Sequence, residues 1–183
     1  MGEMAQRLSK QDWLIHGFDV LRSEGHTGLK ADRMVKALGV SRGSFYWHFD
    51  DIKSFHAALI AAWRVQINEQ VIAQLSQLPD AKDQIKALMV RVFTMSRPLE
   101  RGIRIWAGVD PLVFQTLADV DGIRQSYAQA LLQTIGLPPA IAQSRAQMMM
   151  WAYVGHALST VDVDDPEACA ADFTRILTTQ VET

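Results

Sequence analysis

Apolar residues recur three and four positions apart along nearly the whole of this chain, and no stretch of useful length alternates apolar with polar. A sheet needs the second pattern and a helix the first, so the chain reads as all-α. Punctuation divides it. Gly25, Gly39, Pro79-Asp80, Pro98, Asp110-Pro111, Asp121-Gly122, Gly136 to Pro139 and Asp162 to Pro166 each interrupt the periodicity. Helices are therefore expected at about 9–23, 32–38 and 42–48, then in a long run after Asp50-Asp51 carrying the stripe Phe55, Leu59, Trp63, Ile67, Val71. Further helices are expected at about 82–96, 99–108, 111–118, 122–135, 140–161 and 167–181. Ser9, with Asp12 three residues on, marks the first N-terminus.

Composition excludes more than it selects. Apolar residues make up 49% of the chain, enough for a packed core. Cys169 is the single cysteine, so no intrachain disulfide can form; a reducing, cytoplasmic setting is expected. Met1 to Lys10 lacks the apolar run of a signal peptide, and Met148 to Val154, the longest apolar stretch, is too short to span a bilayer. No membrane partner is expected. His16, His26, His48, His56 and His156 show no paired ligand spacing, and Asp162, Asp164 and Asp165 lack the spacing of a calcium loop. Neither metal nor cofactor is expected. The formal net charge is −2, yet between Arg22 and His48 five basic residues (Arg22, Lys30, Arg33, Lys36, Arg42) face two acidic ones (Glu24, Asp32). Positive potential is gathered near one end.

That end carries the chemistry. In Gly28 to Phe49 two short helices meet at Leu38-Gly39-Val40-Ser41. Gly39 can take the left-handed conformation that ends the first helix, Val40 can fill the angle, and Ser41 can cap the second. Met34, Val35, Leu38, Val40, Phe45 and Phe49 supply apolar contacts, which leaves Arg42, Ser44, Tyr46, Trp47 and His48 outward. One arginine, a hydroxyl and a phenol, an indole and an imidazole on two turns suit duplex DNA better than plain water. Arg42 can pair with guanine O6 and N7 in the major groove. Tyr46 and His48 can donate to phosphate oxygens, and Trp47 can press on a thymine methyl or a sugar.

Gly39-Val40-Ser41, Gly43-Ser44-Phe45-Tyr46 and His48-Phe49 resemble the hallmark of TetR/AcrR-family regulators, and the likeness covers about residues 9–63. It implies an all-helical subunit, homodimerisation through the last two long helices and a ligand pocket in the C-terminal body. Two places depart from the family. Lys30-Ala31 stand where it has a threonine that caps the second helix and touches phosphate, and Ile52 stands where it has a lysine. Lys30 can still meet phosphate as a point charge, and Lys53 is the expected substitute for the second contact.

Residues 1–51 are thus expected to form a three-helix, helix-turn-helix DNA-binding domain. A long helix would join it to an effector-binding and dimerisation domain at 52–183. Its expected DNA contacts are Lys30, Ser41, Arg42, Ser44, Tyr46, Trp47, His48 and Lys53. In the C-terminal half Phe93, Arg104, Trp106, Phe114, Met149 and Trp151 are candidate pocket residues for a small apolar or amphipathic effector. Arg101 and Arg104 bracket the approach to Trp106; an anionic head group is one partner for an inward-pointing arginine there, but salt-bridging or solvation is the expected role. Helix 140–161 is apolar nearly all round, and Cys169, Phe173, Ile176 and Leu177 share a face of the last helix; pairing both with a second copy gives a four-helix homodimer interface. The function expected is a ligand-responsive repressor on a palindromic operator. An architectural DNA-binding protein and a regulator acting through protein contacts are the alternatives. Gly39 to Gly43 also spells G-x-S-x-G, but a hydrolase elbow needs a strand before the serine, so no enzyme is expected.

Overall fold

The computed structural model describes residues 8–95 and 97–180, without the side chains of Ile67 and Asn68. Among these residues there are ten α-helices and no strand. They are α1 (Lys10–Ser23), α2 (Ala31–Ala37), α3 (Arg42–Tyr46), α4 (Ile52–Arg64), α5 (Gln70–Leu75), α6 (Ala81–Thr94), α7 (Arg97–Ala107), α8 (Pro111–Thr134), α9 (Pro139–Leu158) and α10 (Pro166–Thr178). A π-helical stretch, Val65–Glu69, separates α4 from α5. Met1–Arg7, Ile67 in the expected stripe and the expected end of the last helix at 181 lie outside the description. No described helix is long and apolar enough to cross a membrane.

The chain packs as two compact units. The first takes residues up to Arg64 together with Pro98–Leu117. Its α1 starts in a capping box: the Asp12 amide donates to the Ser9 hydroxyl, and the Ser9 amide and hydroxyl both donate to the Asp12 carboxylate. Those bonds hold the Asp12 carboxyl below its ordinary pKa, the Ser9 backbone N–H contributing most. Trp13, Phe18 and Leu21 of α1 and Phe55, Leu59 and Trp63 of α4 are all buried. The α7 helix closes this core with Ile103 and Trp106. It does so at close range: a methyl group on Gly102 would stand 2.8 Å from the Leu21 carbonyl oxygen. The same helix holds an ion pair almost out of water, Arg104 to Glu100 at 2.8 Å, which is the first of the two roles expected there, salt-bridging rather than solvation.

The second unit is Val65–Arg97 with Ala118–Thr183. Ile85, Met89 and Phe93 of α6, Leu131 and Leu132 of α8, and Ala142, Ala146 and Met149 of α9 form its core with Ala170 and Leu177 of α10. Two expectations fail here. The break at Asp121-Gly122 does not occur, for α8 runs unbroken through both residues from Pro111 to Thr134. Burial of Val120 before the glycine and of Ala128, Leu131 and Leu132 after it outweighs the cost of a glycine in mid-helix, about 1 kcal/mol. The α10 face assigned to a partner also packs mostly inside the unit. Leu177 is buried, Cys169 and Phe173 lie against the same core, and the Phe173 ring is 5.1 Å from that of Phe93; only Ile176 is exposed.

The two helical glycines should respond oppositely to alanine. Gly102→Ala gains helix propensity but forces α7 off a main-chain oxygen, a net loss of about 1–2 kcal/mol. Gly122→Ala meets no atom within 4 Å and should gain about 0.5–1 kcal/mol. Urea unfolding of both variants reads the difference.

Candidate nucleic-acid interface

The corner between α2 and α3 is built as its sequence dictates. α2 ends in a Schellman motif: the Val40 N–H donates to the Val35 carbonyl at 3.2 Å and the Gly39 N–H to the Lys36 carbonyl at 3.3 Å. Gly39 sits at φ +65°, where a side chain is strained. Ser41 then turns the chain into α3 in an extended conformation. Its hydroxyl makes no capping bond, against expectation; the Ser41 carbonyl instead accepts from the Ser44 N–H at 3.0 Å. The serine of this G-x-S-x-G stretch thus follows a helix rather than a strand.

Inner and outer faces of α3 separate cleanly. Phe45 is fully buried, edge-on to Trp13 at 5.3 Å and close to Phe49 and Phe55 at 5.3 and 5.7 Å. Arg42 and Ser41 are exposed, Ser44 half-buried, Tyr46 56% and Trp47 70% exposed. Two large aromatics are thereby held in solvent next to an arginine. Lys30 is exposed at the N-cap of α2 and makes no side-chain capping bond. Lys53 is exposed in the first turn of α4, whose start is fixed by a reciprocal pair: the Ser54 N–H donates to the Asp51 carboxylate and the Asp51 N–H to the Ser54 hydroxyl.

His48 differs from its neighbours. α3 ends at Tyr46, so His48 lies in the turn that follows, and its Nε2 donates to the Leu8 carbonyl at 2.7 Å. That ring nitrogen is directed at the protein's own backbone, and Lys10 lies 5.5 Å above the adjacent Phe49 ring. Asp32, by contrast, had no role assigned from sequence. Its carboxylate oxygen is 2.9 Å from Arg42 Nη2, across the corner from α2 to α3.

The candidate effector residues are not gathered in one unit. Phe93 and Met149 belong to the core of the second. Trp106 is buried in the first, edge-on to His56 at 5.0 Å, and Arg104 is paired with Glu100 there. Phe114 and Trp151 are 61% and 67% exposed. No group of three or more described His, Cys, Asp or Glu residues is placed to hold a metal ion.

This architecture is the fold of TetR/AcrR-family transcriptional regulators. A transcriptional regulator from Rhodococcus sp. Rha1 aligns over 93% of this chain and 96% of its own with a TM-score of 0.75 at 18% identity. A TetR/AcrR family member aligns over 93% and 98% at 0.73 and 19%, and a TetR-family structure from Mesorhizobium loti over 92% and 94% at 0.68 and 16%. At such identities the likeness is one of fold. No family profile and no curated protein sequence matches the chain.

Proposed function

We propose that this chain is a DNA-binding transcriptional regulator of the TetR/AcrR family, working as a homodimer that sets α3 of each subunit into successive major grooves. The observation that carries the reading is the outer face of α3: Arg42 and Tyr46, with Trp47 just past its end, are exposed on a helix whose inner face is locked by Phe45. The shared fold supports it. Arg42 reads a guanine, Tyr46 and Ser44 fix the register, Trp47 lies on a methyl or sugar edge, and Lys30 and Lys53 neutralise phosphates from the starts of α2 and α4. Ser41 lends its exposed hydroxyl to the same surface. His48 serves this surface from behind, through the Leu8 carbonyl. The division of labour falls at residues 51 and 52, recognition before it, with Lys53 as the one phosphate contact beyond it, and assembly and effector response after it.

A second observation supports the dimer. Ser144, Met148, Trp151, Gly155 and Leu158 are all exposed on α9, spaced four, three, four and three apart. That is the spacing of a helix seam that meets another helix. With exposed Ile176 of α10 it keeps the first of the two helices expected at the interface and replaces the α10 face of Cys169, Phe173 and Leu177. Occupation of the operator would repress, and an apolar or amphipathic effector would release it by binding one state of the dimer more tightly than the other. Such an effector would have to be taken up among the thioether and aromatic side chains of Met89, Phe93, Met149 and Phe173, which form and line the core of the second unit.

Three measurements test this. On a duplex selected from random DNA, Arg42→Ala should lose roughly 1–3 kcal/mol and its preference at one base pair per half-site, whereas Lys53→Ala should weaken all sequences alike and flatten the salt dependence. An unchanged affinity for Arg42→Ala sinks the recognition assignment. Trp151→Glu should sediment as a monomer at concentrations where the parent is a dimer. Small apolar compounds should raise the melting temperature saturably, and a flat response across a broad set argues for a regulator without an effector.

A further inference from the structure

Arg42 is held before any DNA arrives. Its Nη2 lies 2.9 Å from the Asp32 carboxylate, although both side chains are about two-thirds in water. An ion pair so exposed adds little to stability. Its consequence lies in geometry. A guanidinium is a flat fork with five N–H donors, and one carboxylate oxygen engages a fraction of them. The remaining donors are left for other acceptors, at a corner held by Gly39 at φ +65° and by Phe45 at zero exposure. The corner brings the two residues together: Asp32 is the second residue of α2 and Arg42 the first of α3.

We propose that Asp32 is a specificity-determining residue that positions Arg42 for guanine. This rests on the DNA-binding reading above. An arginine free to swing can exchange guanine for a phosphate oxygen or for another acceptor in the groove, and so binds many sequences tolerably. An arginine tethered by a carboxylate meets O6 and N7 in one orientation and forfeits those substitutes. The same negative charge, set among Lys30, Lys36 and Arg42, opposes phosphates and so lowers affinity for DNA of any sequence. Asp32 therefore raises discrimination while lowering indiscriminate affinity. A purely structural acid in the first turn of α2 would favour the helix dipole and, when removed, would weaken every sequence together with thermal stability.

The test uses the full chain and a panel of duplexes, each altered at one base pair of the sequence that the parent protein selects from random DNA. Asp32→Asn and Asp32→Ser, the latter keeping a residue that suits a helix start, are compared with Arg42→Ala. Both Asp32 variants should lose about two- to fivefold in discrimination at the base pair whose preference Arg42→Ala abolishes, with affinity for random DNA unchanged or raised. Parental discrimination in the Asp32 variants, or a uniform loss across the panel, overturns the proposal while leaving DNA recognition by Arg42 intact. A flat panel for the parent protein, or an unaltered one for Arg42→Ala, takes down the reading beneath it as well.

Discussion

Everything proposed for the outer face of α3 depends on Phe45 on its inner face. A helix of five residues has no stability of its own in water, because nucleation costs more than so few hydrogen bonds return. Burying one phenyl ring contributes about 1.5–3 kcal/mol, and each well-oriented ring pair adds about 0.5–1.5 kcal/mol. Phe45 meets Trp13 from α1, Phe49 from the following turn and Phe55 from α4, so three parts of the chain converge on one side chain. The exposed arginine, phenol and indole are tolerable because that single ring fixes where they stand.

Much of this was legible in the sequence, and the reason is local. Ser9 with Asp12, Gly39 as a stop, and Phe45 and Phe49 against Arg42, Tyr46 and Trp47 are signals whose meaning is complete within a few residues. Capping and helix-face geometry need no knowledge of the rest of the fold. The expected ends of α1, α2 and α9 accordingly fall within a few residues of the observed ones. Where the sequence misled, the deciding contact was distant. Gly122 looks like a stop, but buried neighbours along α8 carry the helix through it. His48 looks outward if α3 is continued to it, but the helix ends at Tyr46 and the imidazole meets a carbonyl forty residues earlier.

The α10 face shows the limit of periodicity most clearly. Cys169, Phe173 and Leu177 announce that one side of the helix is buried and say nothing of what buries it. Their cover is the chain's own α6, on which α10 packs, while the α9 stripe stays exposed. The pairing of Arg42 with Asp32 was illegible for a related reason. Two charges ten residues apart meet only if the corner between their helices has a particular angle, and no spacing rule encodes that angle.

Where Gly102 meets the Leu21 carbonyl, main chain lies against main chain, and no side-chain rotation can absorb a push. On the other side of the same unit His56 donates to the Leu29 carbonyl at 3.0 Å, just ahead of α2, while its ring rests on Trp106. α7 is therefore tied into this unit at two points, Gly102 and Trp106. Trp106, His56 and Leu29 form one line of contact, indole to imidazole and imidazole to carbonyl, that ties α7 to the segment leading into α2.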